Sequence, residues 1–196
     1  MKLLNWMKKS LMVMGFVAVG AGASVAQAAP ADDVIFSMSN QILKDLRTNQ
    51  GLKSGNKAAV SSYVDANIMP KVNFRRWVSS AVGPSWNKAN PQQQEELMQV
   101  MRRYFVSTYS GKLVKNTVNA IDVYPAKGSE VKTIVKHNTG DTDTVIYYME
   151  DQGGWRVYDV AVNGVKVSTT YRGQFKNVVA KGGVPALISD LKAKTN

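Results

Sequence analysis

The sequence predicts an α+β domain in which helices pack on a four-stranded antiparallel sheet. Apolar residues recur at helical spacing along the first part of the chain, and after Lys115 they follow the two-residue spacing of strands. Helical spacing returns beyond Gly164, so the predicted order is helices, a sheet and helices again. The chain has 196 residues, of which 44% are hydrophobic, and this composition is typical of one folded domain.

The first 28 residues predict a cleaved secretory signal peptide. Three lysines give this segment a positive start, and an apolar run follows that ends in the small-residue cleavage signature of Ala26 and Ala28. A transmembrane anchor is the alternative, but a span needs about 20 apolar residues and the run is shorter. Cleavage leaves residues 29–196 as a single domain. It lowers the net charge from +11 to +8, because the removed segment holds three lysines and no acid.

Three helices are predicted before the strongest helical signal. The first begins at the acidic pair Asp32 and Asp33, since acids favour the first turn of a helix. A polar loop with two glycines is expected over residues 48–55. The second helix is predicted over residues 57–68 and the third over residues 73–82.

The fourth helix has the clearest start. Asn90 is a good N-cap residue, Pro91 suits the first helical position, and Gln93 can complete a capping box. One wide apolar stripe then predicts a helix that ends near residues 111–114. The stripe consists of Leu97, Met98, Met101, Tyr104, Phe105, Thr108, Tyr109 and Leu113.

Four strands with short turns predict an antiparallel meander. The last two strands are apolar on both faces, so either both faces are covered or one face lines a cavity. A helix is expected from Tyr171 to the Gly182–Gly183 pair, with a last short helix over residues 185–191. The predicted strands are residues 117–124, 130–137, 142–150 and 155–162.

Composition excludes several kinds of site. The chain has no cysteine, which excludes disulfides, thiolate metal sites and Cys nucleophiles. His137 is its one histidine, which excludes a zinc site with two or more His ligands. No phosphate-binding loop or hydrolase motif is present. Export argues against nucleic acid as the partner of the basic surface, and we expect neither a metal nor a cofactor.

Asp159 is the residue that would carry an enzymatic function. It lies in the last predicted strand among apolar residues, on the face assigned to Trp155 and Val157. A carboxylate in an apolar cavity has a raised pKa and can act as a base. The simpler interpretation is an Asp that reaches solvent or pairs with Arg156, Arg172 or a backbone donor.

Two long segments carry a recognisable pattern of residues. The first segment supplies Pro70, Phe74, Gly83, Trp86, Pro91, Gln92, Phe105, Tyr109 and Leu113, and the second supplies Trp155, Tyr158, Asp159, Gly164, Val165, Tyr171, Arg172, Phe175, Gly182 and Leu191. Together the two segments resemble the MlaC family, also called the toluene-tolerance auxiliary proteins, which are periplasmic phospholipid-binding proteins. Asn73, Asn163 and Lys166 depart from the family pattern.

The resemblance implies a nuclear-transport-factor-like fold, with helices packed on a strongly curved antiparallel sheet and an apolar cavity between them. It also implies a monomeric periplasmic shuttle without enzymatic activity. Such a shuttle carries glycerophospholipid between the outer and inner membranes and maintains outer-membrane lipid asymmetry. Its implied partners are an outer-membrane lipoprotein–porin complex and an inner-membrane ABC transporter with a substrate-binding ring.

Candidate lipid contacts are the apolar positions on the sheet or the facing helices within the two segments. Arg75, Arg102 and Arg172 are expected to contact a headgroup or a partner. The expected cavity lining is Val72, Phe74, Trp77, Val78, Val82, Met98, Met101, Phe105, Tyr109, Tyr147, Met149, Val160, Val162, Val165, Val167, Tyr171 and Phe175. Two alternatives stay open at this point: an enzyme that uses Asp159 as its base, and an envelope interaction module without a cavity.

Overall fold

A computed structural model describes residues 30–113 and 118–195, so the predicted signal peptide lies outside the described residues. The helices there are α1 (Ala31–Thr48), α2 (Gln50–Lys53), α3 (Lys57–Tyr63), α4 (Phe74–Val82), α5 (Pro91–Leu113) and α6 (Val167–Ala193). The strands are β1 (Val118–Val123), β2 (Glu130–His137), β3 (Thr142–Asp151), β4 (Trp155–Val162) and β5 (Val165–Lys166). None of the helices in this part of the chain combines the length and the apolarity that a membrane crossing requires.

Asparagine side chains fix where four of the helices begin. The Asn90 carboxamide accepts from the Gln93 backbone N–H at 2.8 Å, and the Gln93 side chain accepts from the Asn90 N–H at 3.1 Å. This confirms the predicted capping box at the start of α5. The side chains of Asn49, Asn56 and Asn73 cap α2, α3 and α4 in the same way.

The second predicted helix changes its winding before it ends. Residues 57–63 form α3, and Val64–Ile68 then form one wider π turn, followed by a 3₁₀ turn over Met69–Lys71. The predicted loop at residues 48–55 also contains the single helical turn of α2, because Asn49 supplies a cap that accepts from the Leu52 N–H.

Within the described residues the sheet has five strands rather than the predicted four. The strands pair in chain order as a curved antiparallel meander. The additional strand, β5, holds two residues and pairs with the end of β4 through a tight turn. Elsewhere along β4, Val72 forms a parallel bridge with Val157, and the Asn73 N–H donates to the Val157 carbonyl at 2.8 Å. The chain before α4 therefore protects part of the β4 edge.

Two apolar clusters hold the fold together. In the first, α1 packs Ile35 and Met38 on the sheet residues Val131, Met149 and Val157. In the second, α4, α5 and α6 pack against one another, and the 3₁₀ turn Gly83–Lys88 completes the cluster with Trp86. The arrangement leaves β4 and the start of α6 between the two clusters.

The long C-terminal helix contains the break that its sequence predicts. Gly182 and Gly183 have non-helical backbone angles, and Pro185 starts the last helical segment. Gly183 has a φ of 64°, which favours glycine over other residues. The last segment returns Leu187 and Leu191 to the helical cluster.

Candidate functional site

Two adjoining cavities lie between the helices and the β4 edge of the sheet. The first has a volume of about 320 Å³ and lies between α3, the π turn and α5. The second has a volume of about 410 Å³ and lies between α4, α5, β4 and the start of α6. Both volumes fall in the range of small-molecule sites. The two cavities share the side chains of Val72, Phe74, Phe105 and Tyr109.

An aromatic cluster separates these cavities from the helical core. Phe105 is its centre, with ring centroids 5.1 Å from both Trp77 and Tyr171. Phe74 stacks on Trp77 at 6.0 Å, and Tyr109 lies 6.2 Å from Phe105. Edge-to-face and offset contacts of this kind are favourable, so the rings form one continuous aromatic wall.

Among the described residues that line the first cavity, Arg102 is the one that carries a charge. Its Nη2 atom donates to the Ser61 hydroxyl at 2.9 Å and also contacts the Asp65 carboxylate. Its Nε atom is buried without a hydrogen-bond partner among the described residues. Otherwise the lining is apolar apart from Ser110 and the Tyr109 hydroxyl. The first cavity therefore suits a mainly apolar ligand, and the Arg102 Nε–H is available as a donor to a polar group of that ligand.

Tyr109 and Tyr171 close the junction of the cavities through a hydrogen bond of 2.6 Å between their hydroxyls. Tyr171 is buried, whereas Tyr109 is 42% exposed. Burial, with the Tyr109 hydroxyl as a smaller cause, raises the pKa of the Tyr171 phenol well above its usual range. The Tyr171 hydroxyl therefore stays neutral at physiological pH and adds a polar contact without a charge.

Asp159 is buried and has a role at the start of α6. Its Oδ1 accepts from the Ser168 backbone N–H at 3.3 Å, and its Oδ2 accepts from the Ser168 hydroxyl at 2.5 Å. The carboxylate also accepts from the Val160 N–H at 2.9 Å. A negative group in this position satisfies and stabilises a helix N-terminus. Asp159 borders the second cavity, but these bonds favour a structural role over that of a general base.

A β-bulge places Asp159 on the other face of the sheet from the one that its sequence position predicts. Met149 pairs with Val157, whereas the preceding Tyr148 pairs with Asp159, so Tyr158 is an extra residue in β4. Cross-strand partners share a face and successive strand residues alternate. Asp159 therefore lies on the face of Tyr148, and the prediction that it shares a face with Val157 is wrong.

The two apolar faces of β3 and β4 have different surroundings. One face carries Met149 and Val157 against α1, and Val160 extends it to the second cavity. On the other face, Tyr148 lies beneath Lys166, with Nζ 4.0 Å from the ring centroid. Tyr158 likewise lies beneath Arg76, at 3.6 Å. Cations over the rings allow the second face to border solvent.

The predicted contacts divide into three groups by position. One group, which lines the cavities, consists of Val72, Phe74, Trp77, Phe105, Tyr109, Val160, Val167 and Tyr171. A second group packs in the two apolar clusters and consists of Val78, Val82, Met98, Met101, Tyr147, Met149 and Phe175. The third group, Val162 and Val165, is exposed at the turn between β4 and β5.

The three predicted arginines do not lie together. Arg102 lines the first cavity. Arg75 is exposed, contacts Gln94 and lies over the Trp86 ring at 5.3 Å. Arg172 is also exposed, and its Nε donates to the Ser80 carbonyl at 2.8 Å, which satisfies the end of α4.

Sequence reasoning missed one wall of the first cavity. Val60, Val64 and Ile68 line it from α3 and the π turn, and Met69 and Val106 complete it. Their spacing of four residues indicates an apolar helix face, but it does not separate a face packed on protein from a face on a cavity. Among the described side chains, no group of His, Asp and Glu could hold a metal ion.

Comparisons with known proteins agree with this architecture. The family described as MlaC protein matches residues 37–193. The toluene tolerance protein ttg2D of Pseudomonas putida is 27% identical over 158 residues, which cover 77% of this chain and 74% of that protein. A phospholipid-binding protein from Ralstonia solanacearum, solved in complex with a phospholipid, superposes with a TM-score of 0.77 and 29% identity. The match covers 85% of this chain and 97% of the solved chain.

Proposed function

The chain belongs to the MlaC family, and from this membership we propose that it is a periplasmic carrier of glycerophospholipid. In this proposal the signal peptide of residues 1–28 directs export, and residues 29–196 form a single lipid-binding domain. The carrier moves lipid between the outer and inner membranes and so maintains outer-membrane lipid asymmetry. It performs no chemical step, since lipid is bound and released unchanged.

The observation that supports the proposal best is the pair of adjoining cavities with almost wholly apolar lining. Acyl chains are apolar and flexible, so they gain free energy from leaving water for such a space. The solved relative from Ralstonia solanacearum, which holds a phospholipid, supports the same ligand class. We assign the acyl chains to the two cavities that meet at Phe105.

The headgroup phosphate is assigned to the neighbourhood of Arg102. The Nη2 atom of this side chain is paired with Asp65, so the donor that remains for a phosphate is the buried Nε–H, which has no partner among the described residues. Arg–phosphate hydrogen bonds are strong because they are charge-assisted. Arg75 and Arg172 are exposed and lie outside both cavities, so they are assigned to the partner-facing surface.

A free-energy comparison limits how such a carrier works. Moving about thirty methylenes from water into protein is worth about 24 kcal/mol at ~0.8 kcal/mol each. That exceeds the ceiling of about 18–21 kcal/mol for non-covalent affinity. The relevant comparison is between the cavity and a bilayer, in which most of this gain cancels. Transfer direction therefore depends on partners, which we propose are an outer-membrane lipoprotein–porin complex and an inner-membrane ABC transporter with a substrate-binding ring.

The proposal is tested by native mass spectrometry of the purified mature protein, followed by analysis of its organic extract. We expect a bound species of phospholipid mass that is released on denaturation. If the purified protein is ligand-free, it is then incubated with phospholipid vesicles, separated from them and measured again. Failure to take up phospholipid in both measurements would overturn the proposed function.

The role of Arg102 is tested with Arg102→Gln in the same measurement. Gln removes the charge and, being shorter than Arg, also gives up the contacts of Nη2 with Ser61 and Asp65. We expect less bound phospholipid after vesicle incubation, whereas Arg75→Gln, on the exposed face of α4, retains the wild-type amount. Equal loading of both variants would contradict the assignment of the phosphate to Arg102.

A further inference from the structure

A short strap forms the outer wall of the first cavity. We define the strap as Val64–Lys71, which comprises the π turn and the 3₁₀ turn between α3 and α4. Its residues Val64, Ile68 and Met69 line the first cavity. None of the strap's described residues is buried, and neither of the two apolar clusters includes one. The strap therefore lacks the packing that holds α4, α5 and α6 in place.

The strap borders a different cavity on its other side. This polar cavity has a volume of about 460 Å³ and separates the strap from α1. Ala66, Asn67 and Lys71 line it from the strap, and Ser37 and Gln41 line it from α1. Because unfilled space lies on both sides, the strap can move away from α5 towards α1 without overlapping a packed core.

Both ends of the strap are fixed. Val60, in the last turn of α3 before the strap, is buried. Directly after the strap, Val72 forms a bridge with Val157, and the Asn73 N–H donates to the Val157 carbonyl at 2.8 Å. A segment that is held at both ends and loosely packed between them can open locally while the rest of the fold stays intact.

Among the described residues, one ion pair joins the strap to α5. The Asp65 carboxylate pairs with Nη2 of Arg102, and the same Nη2 atom donates to the Ser61 hydroxyl at 2.9 Å. The Asp65 side chain is 50% exposed and that of Arg102 is 27% exposed, so the pair lies where the first cavity meets solvent. A partly exposed pair of this kind is weak enough to break and re-form.

We propose that the strap is the entrance through which an acyl chain reaches the first cavity, and that the Asp65–Arg102 ion pair is the latch that keeps it closed. When the pair breaks, the strap moves towards α1 and uncovers the apolar lining. This inference rests on the proposed carrier function. A lipid phosphate at the Arg102 Nε–H shares the guanidinium with Asp65 and repels that carboxylate, so the arriving lipid itself weakens the latch. Asp65 is a positioning residue, because it acts on the lipid through Arg102.

The latch is tested by the rate at which bound phospholipid exchanges. Protein loaded with unlabelled phospholipid is mixed with vesicles of isotope-labelled phosphatidylethanolamine and phosphatidylglycerol, and native mass spectrometry follows the replacement of one lipid by the other. Asp65→Asn removes the charge of the latch and keeps the size of the side chain. We expect exchange to accelerate roughly threefold, which is within what a partly exposed ion pair supplies. The amount of phospholipid bound at equilibrium is not reduced.

Glu96→Gln is the matched control. It changes the net charge by the same amount and removes a partly exposed ion pair with Lys192, which joins α5 to α6 rather than to the strap. We expect exchange at the wild-type rate. Added NaCl screens the latch, so it should accelerate the wild type more than Asp65→Asn. Wild-type exchange in Asp65→Asn, or equal acceleration by Glu96→Gln, would overturn the latch.

Opening of the strap is measured by hydrogen–deuterium exchange of the lipid-free protein. We expect the amides of Val64–Lys71 to exchange faster than those of α5, and faster again in Asp65→Asn, with no change in α5. Strap amides that are as protected as those of α5 and do not respond to Asp65→Asn would show that the strap does not open.

The outcomes separate this inference from the proposed function. If the wild-type protein binds phospholipid but Asp65→Asn alters neither lipid exchange nor amide exchange, only the inference fails. If the wild-type protein binds no phospholipid at all, the proposed function fails and the inference fails with it.

Discussion

At the scale of single residues, Phe105 determines how the two cavities meet. Its ring contacts those of Trp77 and Tyr171 on one side and borders both cavities on the other. Residues that are close together on α5 therefore have different roles, because their side chains point in different directions. Val106 points to the first cavity, whereas Thr108 is exposed.

Val106→Trp is expected to fill the first cavity. The indole occupies space that an acyl chain needs, and displacing about two methylenes at ~0.8 kcal/mol each corresponds to roughly a tenfold loss of phospholipid affinity. The measurement is the phospholipid-to-protein ratio after vesicle incubation. Thr108→Trp adds the same side chain to the exposed side of α5 and should retain full loading. Full loading of the Val106 variant as well would place the acyl chains elsewhere.

Asp159→Asn is expected to destabilise the fold without loss of lipid binding. The amide cannot accept from both the N–H and the hydroxyl of Ser168 as the carboxylate does, so the free energy of unfolding falls by about 1–3 kcal/mol. Asp141→Asn, at an exposed turn, should change it by less than about 0.5 kcal/mol. Urea unfolding measures both. A variant of normal stability that binds no lipid would instead make Asp159 a ligand-contacting residue.

At the scale of elements, short sequence motifs predicted the helix starts and breaks that neighbouring residues determine. The Asn90 and Gln93 pair specified the start of α5, and the Gly182–Gly183 pair specified the break in α6. The bulge at Tyr158 has no comparable local signal, because it arises from how β4 pairs with β3. One extra residue was enough to move Asp159 to the other face of the sheet.

The candidate site was less predictable than the fold for a related reason. Phe105 and Val78 are both apolar residues on inward helix faces, yet one borders the cavities and the other is fully buried in the helical cluster. The difference depends on how far the facing elements approach, which periodicity does not report. Periodicity did not predict the π turn of Val64–Ile68 either, because the apolar spacing of its residues also fits an α-helix.

Alanine is expected to have opposite effects on stability at two glycines, one at the end of α4 and one inside α6. Gly83 ends α4 with a φ of 71°, so Gly83→Ala should lower the free energy of unfolding by about 1–3 kcal/mol. Gly173 is an exposed residue inside α6, and an added Cβ there meets no atom within 4 Å. Gly173→Ala should therefore raise the free energy of unfolding by about 0.5–1 kcal/mol. Thermal unfolding measures both shifts, and a stabilising Gly83→Ala would contradict the strained backbone assigned to that turn.

At the scale of the whole molecule, the two apolar clusters serve different ends. The cluster of α1 and the sheet and the cluster of α4, α5 and α6 are each well packed, and the cavities lie where the two approach each other. A carrier needs a stable fold around a space that is not filled by its own side chains. Two separately packed clusters provide both the stable fold and the unfilled space, because a ligand can enter between them without disturbing the packing of either cluster.

Buried phenols make the stability of the whole fold sensitive to alkaline pH. Burial raises the pKa values of Tyr147 and Tyr171 above that of an exposed tyrosine. Below about pH 10 these phenols are protonated in both the folded and the unfolded chain, so stability is complete. Above that pH the unfolded chain loses phenolic protons that the folded chain keeps. Each such phenol then lowers the free energy of unfolding by up to about 1.4 kcal/mol per pH unit.

Tyr171→Phe tests this linkage. The variant loses the hydrogen bond to Tyr109, so its free energy of unfolding at neutral pH falls by about 0.5–1.5 kcal/mol. Its decline above pH 10 should nevertheless be shallower than that of the wild type, because one phenol no longer ionises on unfolding. Urea unfolding at intervals from pH 7 to pH 11 measures both slopes. Parallel curves over the whole range would mean that Tyr171 ionises as readily in the folded protein as in the unfolded chain, and so that the cavity junction is open to water.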